Sequence, residues 1–217
     1  MIPPIPPNEA ERLRTLKLYN ILDTGADRAF DDLTRLAAAI CHTPIALITL
    51  VDQDRQWFKS RIGLEASETP RAVAFCAHAI AQDGLFVVED ASKDPRFQAN
   101  PFVVSAPHVR FYAGAPLDVG GASLGTLCVI DQEPRQLSNR QREALRILGE
   151  AVVTQLELRR ALDSLRTAEH LLKMCAWCRA IKAEDGTWNP LDAYLMTTVP
   201  VTHGVCPDCE ARMSETW

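Results

Sequence analysis

The chain has 217 residues, 47% hydrophobic and 24% charged, with a formal net charge of −5. That acidic balance excludes binding to nucleic acid or to an anionic membrane surface through bulk electrostatics. No apolar run approaches the ~18 residues needed to cross a bilayer, and MIPPIPPNEAERL lacks the pattern of a secretory signal, so a cytoplasmic protein is expected.

The prolines at 3, 4, 6 and 7 predict an extended arm. Asn8, with Glu11 three residues on, predicts a capping box opening a helix to about Leu22. A second helix over Asp27–Cys41 places Phe30, Leu33, Leu36, Ala37 and Ile40 on one face. Residues 44–51 are apolar and rich in β-branched side chains, which predicts a central strand. Residues 52–55 turn the chain and 56–62 return it as a second strand, on which Trp57 and Phe58 face opposite ways. One of the two is therefore expected in the core and the other exposed or at an interface.

A helix over about 72–82 and a short strand over 85–89 follow. Pro95, Pro101 and Pro107 break up residues 90–109. Two strands, 111–119 and 123–130, meet at Gly120-Gly121, a pair suited to a tight hairpin turn. Ser138 caps a long helix running to about Met174. Its first half carries Leu145, Leu148, Val152 and Leu156; its second carries Leu158, Leu162, Leu165 and Leu172. The two stripes are out of phase, so the first is expected on the sheet and the second as a homodimer seam or a connector. The whole predicts an α+β domain with an antiparallel sheet and helices packed on it.

The stretches NEAERLRTLKLYNILDT, PIALITLVDQDRQWFKSRIGL, FCAHAI, VVEDASKDPRFQANPFV, HVRFYAGAPL and LGTLCVIDQEPRQLSNRQREAL together resemble the GAF domains of bacterial sensory proteins. The resemblance implies a GAF-like domain over 1–158 with a six-stranded antiparallel sheet and a ligand pocket on one face. It also implies that the domain modulates an output and does no chemistry of its own. The motifs of cyclic-nucleotide and bilin-binding members are not found. Cys41, Cys76 and Cys128 could be forced into the role of the GAF-fold methionine sulfoxide reductase cysteines, but Cys41 and Cys128 sit in apolar segments, as small core residues do, and the flanking motifs of that enzyme class are absent.

An unidentified small-molecule ligand is expected between FCAHAI and the irregular segment. Candidate lining residues are Phe75, Cys76, His78, Arg96, Asn100, His108, Arg110 and Tyr112, which offer aromatic faces and convergent polar groups. Arg96 and Arg110 suit an anionic group. Each has a structural alternative: Asp94-Pro95 can open a helical turn, Arg110 can pair with Asp90 or Asp94, and His78 can be a hydrogen-bonded core residue.

Residues 159–173 continue the helix as a linker. Over 174–217, Cys175-Ala176-Trp177-Cys178 and Cys206-Pro207-Asp208-Cys209 supply two CxxC pairs. Four thiolates match the tetrahedral preference of structural Zn²⁺, and so short a unit seldom holds together on its own core. Zinc contributes roughly 10–16 kcal/mol to comparable peptides. The predicted hairpin at Glu184-Asp185-Gly186 and a helix carrying the second pair resemble a treble-clef module.

The expectation is therefore a non-enzymatic sensory protein that binds a small molecule and passes its state to the zinc module or to a signalling partner. The alternatives are a dimerisation scaffold without ligand and a thiol-based methionine sulfoxide reductase.

Overall fold

The computed structural model describes residues 3–169, 174–175, 177–183 and 186–193. They fall in two compact units, Met1–Asp163 and Ser164–Trp217. In the first, α1 (Glu9–Leu18) and α2 (Arg28–Cys41) lead into the hairpin β1 (Ile45–Val51) and β2 (Arg55–Ile62). Then come β3 (Glu68–Pro70), a 3-10 turn (Arg71–Val73), α3 (Phe75–Ala79), β4 (Phe86–Val88) and α4 (Pro101–Val104). The hairpin β5 (Phe111–Val119) and β6 (Ala122–Asp131) precedes α5 (Asn139–Glu169). The strands form one antiparallel sheet in the order β3-β2-β1-β6-β5-β4.

All seven residues of β1 are buried, because the sheet is covered on both faces and successive side chains point to opposite sides. Ala46, Ile48 and Leu50 join the core under α1, α2 and the first half of α5. Ile45, Leu47 and Val51 join a second core under α3. The same coverage corrects the expectation for β2: Trp57 and Phe58 are both buried, one in each core. Leu145, Leu148, Val152 and Leu156 of α5 are buried, whereas Leu158, Leu162 and Leu165 are exposed. On α2 the buried stripe is Phe30, Thr34, Ala37 and Cys41, and Leu36 lies outside it.

The expected capping box on α1 does not form. Asn8 makes no side-chain cap bond and instead donates to the Gly121 carbonyl at 2.9 Å. That carbonyl belongs to the β5–β6 turn, where Gly120 and Gly121 both take positive φ (58° and 86°), as a two-residue hairpin requires. The first turn of α1 is fastened by Arg12, which is 1% exposed. It donates to both Glu9 carboxylate oxygens at 2.8 Å and to the Val51 carbonyl at 2.7 Å, and Arg71 reaches the same carboxylate at 2.6 Å.

In the second unit, β7 (Ile181–Lys182) and β8 (Trp188–Asn189) pair antiparallel, and Met174 bridges to Ile181. No helix among the described residues is long and apolar enough to cross a membrane.

Candidate functional site

The second core encloses a cavity of about 150 Å³. Phe75 and Cys76 enter it from α3 and Tyr112 from β5, while Gln56 and Thr69 wall it from β2 and β3. Its lining also includes exposed Ala66 and partly exposed Leu64 and Pro107, so it opens toward the surface beside the β2–β3 connection. The lining is almost wholly apolar, with two exceptions. Gln56 Oε1 and Thr69 Oγ1 are buried and have no hydrogen-bond partner among the described residues. A buried acceptor left unpaired costs about 1–3 kcal/mol.

Behind Phe75, hydroxyls and thiols gather where α3 crosses the middle of the sheet. Thr49 on β1 lies opposite Thr126 on β6, with their hydroxyls 3.2 Å apart. Thr126 donates to Cys76 Sγ at 3.0 Å and the Tyr112 hydroxyl donates to it at 3.2 Å. Cys128 Sγ lies 3.8 Å from Cys76 Sγ. Tyr112 fits because residue 114 is glycine: a Cβ there would collide with the tyrosine hydroxyl. Burial opposes ionisation of Cys76, yet hydrogen bonds from Cys128, Thr126, Thr49 and Tyr112 outweigh it and bring the thiol down to about 7. Burial, with Cys76 beside them, raises Cys128 and Tyr112 well above their ordinary values.

Of the eight candidate ligand residues, Phe75, Cys76 and Tyr112 meet at the cavity. Of the other five, four hold the surrounding segments. His78 is buried with its ring edge on Phe97, centroids 4.8 Å apart; burial first, then the nearby Arg96 charge, depresses it to about 4. Arg96 pairs with Asp94 through two bonds of 2.9 and 2.6 Å and lies over the Phe86 ring. Asn100 accepts from the Phe102 N–H, capping α4, and donates to the Val73 carbonyl at 2.8 Å. Arg110 donates to the Val103 and Val109 carbonyls at 2.8 and 3.1 Å rather than to Asp90 or Asp94. His108 is exposed in the left-handed region, φ 60°. Gln56 and Thr69 were missed because a strand glutamine and an edge threonine look like solvated residues; only β3, itself unforeseen, brings them together.

Among the metal candidates, Cys175 is partly exposed and Cys178 exposed. Backbone hydrogen bonds from Cys178 and then Trp177 hold Cys175 below the ordinary thiol value, as a tight thiolate-bearing turn does. Cys206 and Cys209 lie outside the described residues. Among the described residues, no cluster of three or more His, Cys, Asp or Glu side chains could hold a metal.

A model of the GAF domain family matches residues 25–159. A cyclic di-GMP phosphodiesterase of Pseudomonas aeruginosa is 48% identical over 134 residues, which make up 61% of this chain and 23% of that relative. The chain thus spans under a quarter of that relative's length. Among solved structures, the GAF domain of an Acinetobacter phosphoenolpyruvate-protein phosphotransferase superposes with a TM-score of 0.53. It is 18% identical, with 71% of this chain and 96% of that one covered. The free methionine-R-sulfoxide reductase of Neisseria meningitidis, in complex with its substrate, gives 0.52 at 19% identity, covering 70% and 92%. These two likenesses carry the fold alone. The 48%-identical relative corrects two expectations, that the protein is a non-enzymatic sensory module and that it is not an enzyme: the relative is named for hydrolysis of a cyclic dinucleotide.

Proposed function

Because the chain belongs to the GAF domain family, we propose that it works in cyclic di-GMP turnover and that its cavity holds a small regulator of phosphodiesterase activity. The link to cyclic di-GMP rests on the Pseudomonas relative. The observation that carries the regulator is the almost wholly apolar cavity walled by Gln56 and Thr69, whose Oε1 and Oγ1 have no hydrogen-bond partner among the described residues. A ligand N–H or O–H pairing with Gln56 recovers the desolvation penalty of that acceptor. An apolar cavity of this volume admits a molecule of about benzene size. Cyclic di-GMP, with two purines and two phosphodiester charges, is too large and too polar for it, so the regulator and the nucleotide are different molecules.

Indole and phenol are suitable probes: small, aromatic, each with one donor. We expect both to raise the melting temperature of the full chain, and Gln56→Met to weaken their binding about tenfold, the equivalent of one lost hydrogen bond. Expression of the chain in bacteria is expected to shift the cyclic di-GMP pool, and the cavity-filling variant Ala74→Phe to change that shift. A pool unmoved by the wild-type chain overturns the proposal.

The assignment of zinc to Cys175, Cys178, Cys206 and Cys209 is supported by the two CxxC pairs and by the backbone N–H groups directed at Cys175. Zinc would supply tetrahedral cross-linking of the second unit. One equivalent per chain by elemental analysis, lost in Cys175→Ser, is the expected result. A homodimer is supported by exposed Leu158, Leu162 and Leu165, which follow one another at helical spacing on α5. Light scattering should give a dimer for the wild type and a monomer for Leu158→Glu/Leu162→Glu.

A further inference from the structure

The geometry points to a second activity at the cavity floor: Cys76 and Cys128 form a peroxide-oxidisable pair, with Cys76 attacking a small hydroperoxide and Cys128 closing the disulfide. This does not depend on the regulator proposed above. The two sulfurs are 3.8 Å apart, so the approach to a disulfide length of about 2.05 Å is short. Their roles differ by position. Cys76 lines the cavity and Cys128 does not, so a reagent entering past Leu64 and Ala66 meets Cys76 first. Cys76 Sγ also receives the hydroxyls of Thr126 and Tyr112, an arrangement that stabilises a thiolate, and the thiolate is the nucleophilic form. The apolar lining and the volume of about 150 Å³ admit hydrogen peroxide or a small alkyl hydroperoxide and exclude glutathione.

In the first step Cys76 gives up its proton and its sulfur attacks the distal peroxide oxygen. The O–O bond breaks, and the departing alkoxide or hydroxide takes that proton to leave as alcohol or water. Cys76 is now a sulfenic acid. The Cys128 sulfur then attacks the Cys76 sulfur, the S–O bond breaks, and hydroxide leaves with the Cys128 proton as water. Two thiols and one hydroperoxide thus become one disulfide, one alcohol (or water) and one water. A dithiol reductant reverses the change. The disulfide draws Cys76 Sγ away from Thr126 and Tyr112, so the oxidation state of the pair reshapes the cavity.

The test uses the full chain, reduced and then exposed to hydrogen peroxide at pH 7. Free thiols are blocked with N-ethylmaleimide and the digest is mapped without reductant. Expected are a Cys76–Cys128 linked peptide that dithiothreitol separates, and oxidation of Cys76 about tenfold or more faster than of Cys41. Burial raises the Cys41 thiol to about 11, which leaves it far less thiolate. In Cys128→Ala, dimedone should capture a sulfenic acid at Cys76. In Cys76→Ser, Cys128 should stay reduced; should that variant not fold, the wild-type map and Cys128→Ala decide. The proposal is overturned if Cys76 and Cys128 stay reduced while other thiols oxidise, or if dimedone leaves Cys76 unlabelled in folded Cys128→Ala.

Discussion

Two ionisable side chains contribute to the acid sensitivity of the domain in adjacent windows. His78 is buried beside Phe97 and stays neutral until about pH 4, whereas its ordinary value is 6.5. Between those values the unfolded chain binds the extra proton, so stability is complete above pH 6.5 and declines as pH falls toward 4. Glu9 is opposed by desolvation but held at about 2, from 4.5, by hydrogen bonds from Arg12 and Arg71. Its contribution is complete above pH 4.5 and is lost as pH falls toward 2. Melting temperatures from pH 7 to 3 should therefore fall in two stages. His78→Gln should flatten the upper stage and leave the lower one intact, and Glu9→Gln should do the reverse while lowering the melting temperature at pH 7. His78 was legible as a core histidine or a ligand but not decided between them; Arg12 and Glu9 carried no signal, because an i,i+3 ion pair on a polar helix ordinarily belongs to solvent.

At the scale of elements, α5 divides into a half that builds the core and a half that does not. Leu145 is fully buried among sheet residues, whereas Leu162 is 47% exposed. Leu145→Ala should destabilise the domain by about 2–5 kcal/mol. Leu162→Ala added to Leu158→Glu should change stability by no more than about 0.5 kcal/mol, a contrast that urea denaturation resolves. The phase slip between the two leucine stripes foreshadowed this division. The β1–β2 hairpin, the β5–β6 hairpin and their glycine turn were legible from alternation and turn chemistry. β3 and α4 were not: three or four residues carry no period, and their bonds run to partners fixed elsewhere, as when Asn100 ties α4 to Val73.

The first unit buries two cores of its own, one on each face of the sheet. A fragment ending at Asp163 should accordingly fold alone, with a cooperative melt within a few degrees of that of the first unit in the full chain. Calorimetry showing no transition for the fragment would reject that independence. On the proposed assignment of zinc to Cys175, Cys178, Cys206 and Cys209, chelation with EDTA should unfold the second unit while leaving the first unit's melt unchanged.

Period, turn residues and family resemblance were enough to establish an antiparallel sheet flanked by helices in a GAF domain, since each is written locally in successive side chains. The cavity was another matter. Phe75, Cys76 and Tyr112 could be named as candidates, but Gln56 and Thr69 became walls of the cavity, and Cys128 a neighbour of Cys76, only through strand register and the crossing of α3 over the sheet. Burial, an unpaired acceptor and a sulfur–sulfur distance are properties of residues far apart in the chain, and tertiary packing alone brings them into being.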